Sequence, residues 1–92
     1  MNRSRLHIYY SGRVQGVGFR YTVKALATGF EVTGTIRNLS DGRVELVAEG
    51  TKEELEAFRR AIQDCEVGRL IRNEAAGWGE ATGEFRGFEI VK

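Results

Sequence analysis

Residues 12 to 20 read Gly-Arg-Val-Gln-Gly-Val-Gly-Phe-Arg, between an alternating apolar run and a stretch of helical periodicity. Glycines at 12, 16 and 18 let a loop take positive φ and bring its N–H groups close to a ligand. A row of such N–H groups at a helix start makes an anion pocket. Arg20 adds a permanent, planar, forked charge suited to phosphate. The N–H groups of Gln15, Gly16, Val17, Gly18, Phe19 and Arg20 therefore read as a cradle for phosphate oxygens. It is not a P-loop, which ends in Gly-Lys-Ser/Thr, nor a dinucleotide fingerprint, whose third glycine would fall at Tyr21. Taken alone, the glycines fit an ordinary strand-to-helix turn first.

They do not stand alone. Asn38 follows Arg20 by eighteen residues, in Gly34-Thr35-Ile36-Arg37-Asn38, and Leu39-Ser40-Asp41-Gly42-Arg43-Val44-Glu45 comes next. With both motifs present, the chain resembles the acylphosphatase family of small metal-free hydrolases. The matching stretch runs without a gap from about residue 6 to 50. Beyond it the family often carries Gly-Pro, whereas this chain has no proline and reads Cys65-Glu66-Val67-Gly68-Arg69-Leu70.

The resemblance implies hydrolysis of the carboxyl–phosphate bond of small-molecule acyl phosphates, with Arg20 as phosphate ligand, Asn38 orienting water, and no metal or organic cofactor. Inorganic phosphate, the product, would fill the same cradle and inhibit. Physical chemistry points the same way. Such phosphoryl transfer needs mainly positioning and stabilisation of charge on the equatorial oxygens. A neutral amide such as Asn38 can both donate to and accept from a water. A carboxylate there would repel the substrate by roughly 4 kcal/mol, at about 4 Å and an effective dielectric near 20.

Other groups fit structural roles better. His7, the only histidine, falls opposite Leu6 and Ile8 on an alternating run, which favours a solvent or structural role over a general base. Cys65 falls on a helical apolar stripe, as a buried core thiol would. One Cys and one His cannot close a zinc site. Glu53, Glu54 and Glu56 suit a solvated helix start. Trp78, between two glycines, suits a loop anchor, with the rim of a substrate site as the alternative. Arg13 adds positive field.

Ninety-two residues, 41% hydrophobic and 29% charged, make one domain spanning 1–92 with an ordinary core. A lone cysteine, no apolar leader and no membrane-length run give the expectation of a cytoplasmic protein without membrane attachment. A net charge of +1 argues against coating nucleic acid. Its distribution is uneven: residues 1–43 carry +5 and residues 44–92 carry −4, so the glycine loop sits in the basic half. The small size favours a monomer.

The motifs need a frame. Leu6, Ile8 and Tyr10 predict a strand over 6–10. Val23, Leu26 and Ala27 predict a helix to 28, with Gly29 as a left-handed cap. Val32, Gly34 and Ile36 share one strand face, and Val44, Leu46 and Ala48 the next, joined as an antiparallel hairpin at Ser40-Asp41-Gly42. Thr51 and Glu54 form a capping box for a helix carrying Leu55, Phe58, Ile62 and Cys65. A fourth strand over 67–73, a loop or hairpin over 74–83 and a closing strand over 85–91 complete the reading.

The order β-α-β-β-α-β predicts an α+β, ferredoxin-like sandwich, an antiparallel sheet with two helices on one face. That fold hosts many activities. A non-catalytic phosphate- or nucleotide-binding module of the same fold is the alternative to a hydrolase. An RNA-binding sheet fits poorly, since residues 43–49 carry two acids and no aromatic.

Overall fold

The computed structural model describes residues 2–92. β1 (Ser4–Gly12) alternates as its sequence requires, with Leu6, Ile8 and Tyr10 fully buried and His7 and Tyr9 half-buried. α1 (Phe19–Ala27) buries Phe19, Val23 and Ala27. β2 (Thr33–Asn38) and β3 (Val44–Gly50) form the expected hairpin, with Asn38 opposite Val44 beside the turn. α2 (Lys52–Asp64) buries Leu55, Phe58 and Ile62. A 3₁₀ turn (Gly68–Leu70) leads into β4 (Ile71–Glu80), and β5 (Phe88–Ile90) follows.

The sheet order is β4-β1-β3-β2-β5. Buried side chains of β1, β2 and β3 share one core with those of both helices, so the helices cover one face. This is the ferredoxin-like architecture with a fifth strand added. β5 pairs parallel with β2, which makes the sheet mixed rather than wholly antiparallel. Phe58 of α2 ties that edge to the helical layer, its ring 5.6 Å from both Phe30 and Phe88.

Several local expectations shift. The fourth strand begins at Ile71, not at residue 67, and runs through most of the expected loop. It pairs with β1 from Ser4 opposite Glu80 to Ser11 opposite Asn73, so the backbone ladder decides where side-chain alternation is silent. The closing strand is shorter than 85–91, although Gly34 N–H to the Gly87 carbonyl and Val91 N–H to the Ile36 carbonyl extend its bonding. Gly29 is not left-handed. Instead the N–H groups of Thr28, Gly29 and Phe30 each bond three residues back, tightening the end of α1. Cys65 is half-buried beyond the end of α2, its thiol donating to the Ile62 carbonyl at 3.1 Å.

Only half of the capping box forms. Thr51 Oγ1 accepts from the Glu54 N–H at 3.2 Å, but the Glu54 carboxylate accepts from the Glu31 N–H at 2.8 Å. Thr51→Ala should therefore lower stability by about 1 kcal/mol, read from a urea transition.

Because β4 and β5 occupy opposite edges, residues 81–87 must cross the sheet. Glu49 of β3, its side chain fully buried, anchors the crossing. Its carboxylate accepts from Thr82 N–H at 2.9 Å, Gly83 N–H at 3.0 Å and Arg5 Nε at 2.8 Å. Arg5 also grips Glu84 at 2.6 Å and lies over the Phe85 ring. Burial alone would push the Glu49 carboxyl up, but the two N–H groups and the Arg5 guanidinium outweigh it and hold it below the usual carboxylate range. A carboxyl depressed in the folded state contributes stability above its unfolded pKa and loses it as pH falls through the folded one. Glu49→Gln should thus cost about 2 kcal/mol at pH 7. The gap from the parent should narrow toward pH 3 in urea titrations; a constant gap would show that the charge is not what anchors the crossing.

Candidate active site

The two halves of the predicted site lie on strands that are not neighbours, since β3 separates β1 from β2. β1 ends in a register shift between Ser11 and Gly12, and Arg13 N–H donates to the Leu70 carbonyl at 3.1 Å. That contact fixes where the loop begins. Val14 and Phe19, each 1% exposed, pin it into the core from both ends. The Phe19 ring packs 5.3 Å from that of Tyr10, so Phe19 can offer a ligand only its backbone. Val17 stands exposed between them.

Gly16 and Gly18 take φ of 77° and 80°, a left-handed backbone that a side chain would strain. Gly18 precedes α1, which has no side-chain cap and no acidic residue in its first turn. The first helical bond runs from Thr22 N–H to the Gly18 carbonyl at 3.0 Å. Among the described residues, the N–H groups of Gln15, Gly16, Val17, Gly18, Phe19 and Arg20 meet no acceptor. Unclaimed donors at the positive end of a helix favour an anion. Arg20, the second residue of α1, is half-buried, and none of the described ion pairs involves it. Its guanidinium lies 6.0 Å from the ring of exposed Tyr21.

Asn38 is the last residue of β2. Its Oδ1 is buried and has no hydrogen-bond partner among the described residues. Leaving such an acceptor unmade costs roughly 1–3 kcal/mol, so this oxygen is open to a bound water or ligand.

The Gln15 side chain was not readable as a structural link. Its Nε2 donates to the carbonyls of Leu39 and Arg43 at 2.8 and 2.9 Å. The loop is thereby fastened to the turn that follows Asn38. No sequence periodicity marks a bond of this kind.

The other singled-out residues lie elsewhere. His7 Nε2 meets Glu45 Oε2 at 2.7 Å on the sheet face away from the helices. Trp78 is part of β4, opposite Leu6 and beneath Lys52 Nζ. Six residues of strand separate that position from Gly12, about 20 Å, so Trp78 is not a rim of this loop. A surface concavity of about 620 Å³, lined by Asn2, Arg3, Thr51 and three glutamates, touches neither the loop nor Asn38. No three described His, Cys, Asp or Glu side chains cluster as a metal ion requires.

Fold and loop together define a small α+β protein of ferredoxin-like topology with a glycine-rich strand-to-helix turn whose N–H groups are unclaimed. Residues 6–90 match the acylphosphatase family model. An acylphosphatase of Pelotomaculum thermopropionicum is 42% identical over 91 residues, covering 99% of each chain. The crystal structure of acylphosphatase from Bacillus subtilis superposes with a TM-score of 0.88 at 32% identity, over 97% of this chain and 99% of that one. Full-length HypF, crystallised in a phosphate- and nucleotide-bound form, matches at TM-score 0.87 and 30% identity, over 98% of this chain but 12% of its own. The chain belongs to the acylphosphatase family, enzymes that hydrolyse acyl phosphates.

Proposed function

We propose that the protein binds the phosphoryl group of an acyl phosphate on the N–H groups of residues 15 to 20 and the Arg20 guanidinium. Asn38 then orients a water in line with the leaving carboxylate. Water attacks phosphorus and the phosphorus–oxygen bond to the acyl group breaks. The carboxylate leaves as an anion, needing no proton because carboxylic acids ionise near pH 4. The protons of the water remain on the phosphate or pass to solvent. Catalysis here is placement plus charge stabilisation.

The observation that carries this reading is the buried, unpartnered Asn38 Oδ1, held one residue from a turn bonded to the loop. A water donating to that oxygen would satisfy it. Val17 and Tyr21 stand exposed rather than enclosing a chamber, which suits acceptance of varied small acyl groups.

Release of inorganic phosphate from benzoyl phosphate tests the proposal. Turnover should be undiminished by EDTA, since this reading has the loop N–H groups and the Arg20 guanidinium meet the phosphoryl charge. Added inorganic phosphate should inhibit competitively. Phosphate binding without turnover would instead identify a binding module.

A further inference from the structure

We propose that the Gln15 side chain is a positioning residue that sets Asn38 against the phosphate loop; this rests on the reaction proposed above. The loop hangs from β1 and α1, whereas Asn38 ends β2, and β3 lies between. The ladder sets Tyr10 and Asn38 on either side of Val44, but it ends there and does not reach the loop itself. Gln15 spans the gap, with Nε2 2.8 Å from the Leu39 carbonyl and 2.9 Å from the Arg43 carbonyl. Those carbonyls form the base of the turn. Leu39 N–H donates to the Arg43 carbonyl at 2.8 Å, and Gly42 N–H to the Leu39 carbonyl at 3.2 Å. Leu39 directly follows Asn38, so the amide of Gln15 holds the backbone beside the water-orienting group.

The chemistry fixes the direction of the bond. An amide NH₂ has two hydrogens, one for each carbonyl, while the reversed amide would set oxygen against two oxygens. Glutamate has nearly the same shape but, when ionised, no hydrogen to give. When protonated it can serve one of the two carbonyls. Half-buried beside carbonyl oxygens, its charged form is disfavoured and its pKa rises.

Gln15→Ala is expected to lower kcat roughly 10- to 100-fold at every pH, because small misplacement of a positioned group can cost about 10²-fold. Inhibition by inorganic phosphate should change less than about threefold, since the loop N–H groups and Arg20 remain. Gln15→Glu should match that loss at pH 7.5 and recover several-fold, relative to the parent at the same pH, as pH falls to 5. In an Asn38→Ala background, Gln15→Ala should add little, because Gln15 acts through Asn38. Equal losses of turnover and phosphate affinity, or additive losses in the double variant, would overturn the assignment. Hydrogen exchange supplies a readout independent of turnover. The Leu39 and Gly42 amides should exchange at least tenfold faster in Gln15→Ala, and unchanged exchange would remove the proposed link. Failure of the parent to release phosphate would sink the reaction, and exchange would still decide whether Gln15 orders the turn.

Discussion

Arg20→Lys is expected to lower kcat/KM for benzoyl phosphate by roughly 10³, the lower end of what a positioned arginine contributes to phosphoryl transfer. Charge is conserved in this variant, so the loss isolates geometry. A guanidinium presents a rigid planar fork that can follow two phosphoryl oxygens, whereas an ammonium is a compact point charge on a flexible stem. Folding should be unaffected, because none of the described ion pairs uses Arg20. The urea midpoint should match the parent within experimental scatter. Near-normal turnover in the lysine variant would mean that net positive charge suffices, and the fork would lose its role.

Asn38→Ala is expected to lower kcat by roughly 10²–10³ with little change in KM, as for removal of one preorganised polar group. Stability should change little. Asn38 Oδ1 bonds no group among the described residues, so deleting it breaks no bond within the fold. A variant less active and no less stable would mark Asn38 as kept for chemistry. Asn38→Asp should be at least as impaired. At about 4 Å and an effective dielectric near 20, a carboxylate would oppose an incoming phosphoryl dianion by roughly 4 kcal/mol per unit charge. Full turnover in either variant would place the water elsewhere.

Elements built on side-chain alternation or helical stripes were legible in the sequence. β1, α1, the β2–β3 hairpin and α2 bury most of the residues their periodicity marks, such as Val23 and Leu46, while Leu26, Val32 and Cys65 are only half-buried. β4 was not, because Ala75, Ala76, Gly77 and Gly79 carry no alternating signal. It is a strand because β1 offers it a continuous ladder, a tertiary reason that propensity does not register. β5 falls inside the closing strand that alternation marks over 85–91, although only residues 88–90 form it; its parallel pairing with β2 is the part that the sequence does not mark.

The site divides along the same line. Glycines at φ 77° and 80°, a forked cation and a neutral amide are written in residue types. The Gln15 link is not, since a side chain bonding carbonyls 24 and 28 residues away leaves no pattern. Likewise Glu54 reaches the N–H of Glu31 instead of closing its own helix box, a choice made by tertiary proximity.

The crossing of residues 81–87 bears on biosynthesis. β5 is translated last, and its one neighbour, β2, waits with an open flank while the ribosome adds the residues between them. At roughly 5–20 residues per second the stretch from Asn38 to Phe88 takes about 2–10 s. For its duration the nascent chain exposes a hydrogen-bonding edge to other polypeptides. Crowded synthesis, more than the finished fold, is when this protein is most open to mispairing.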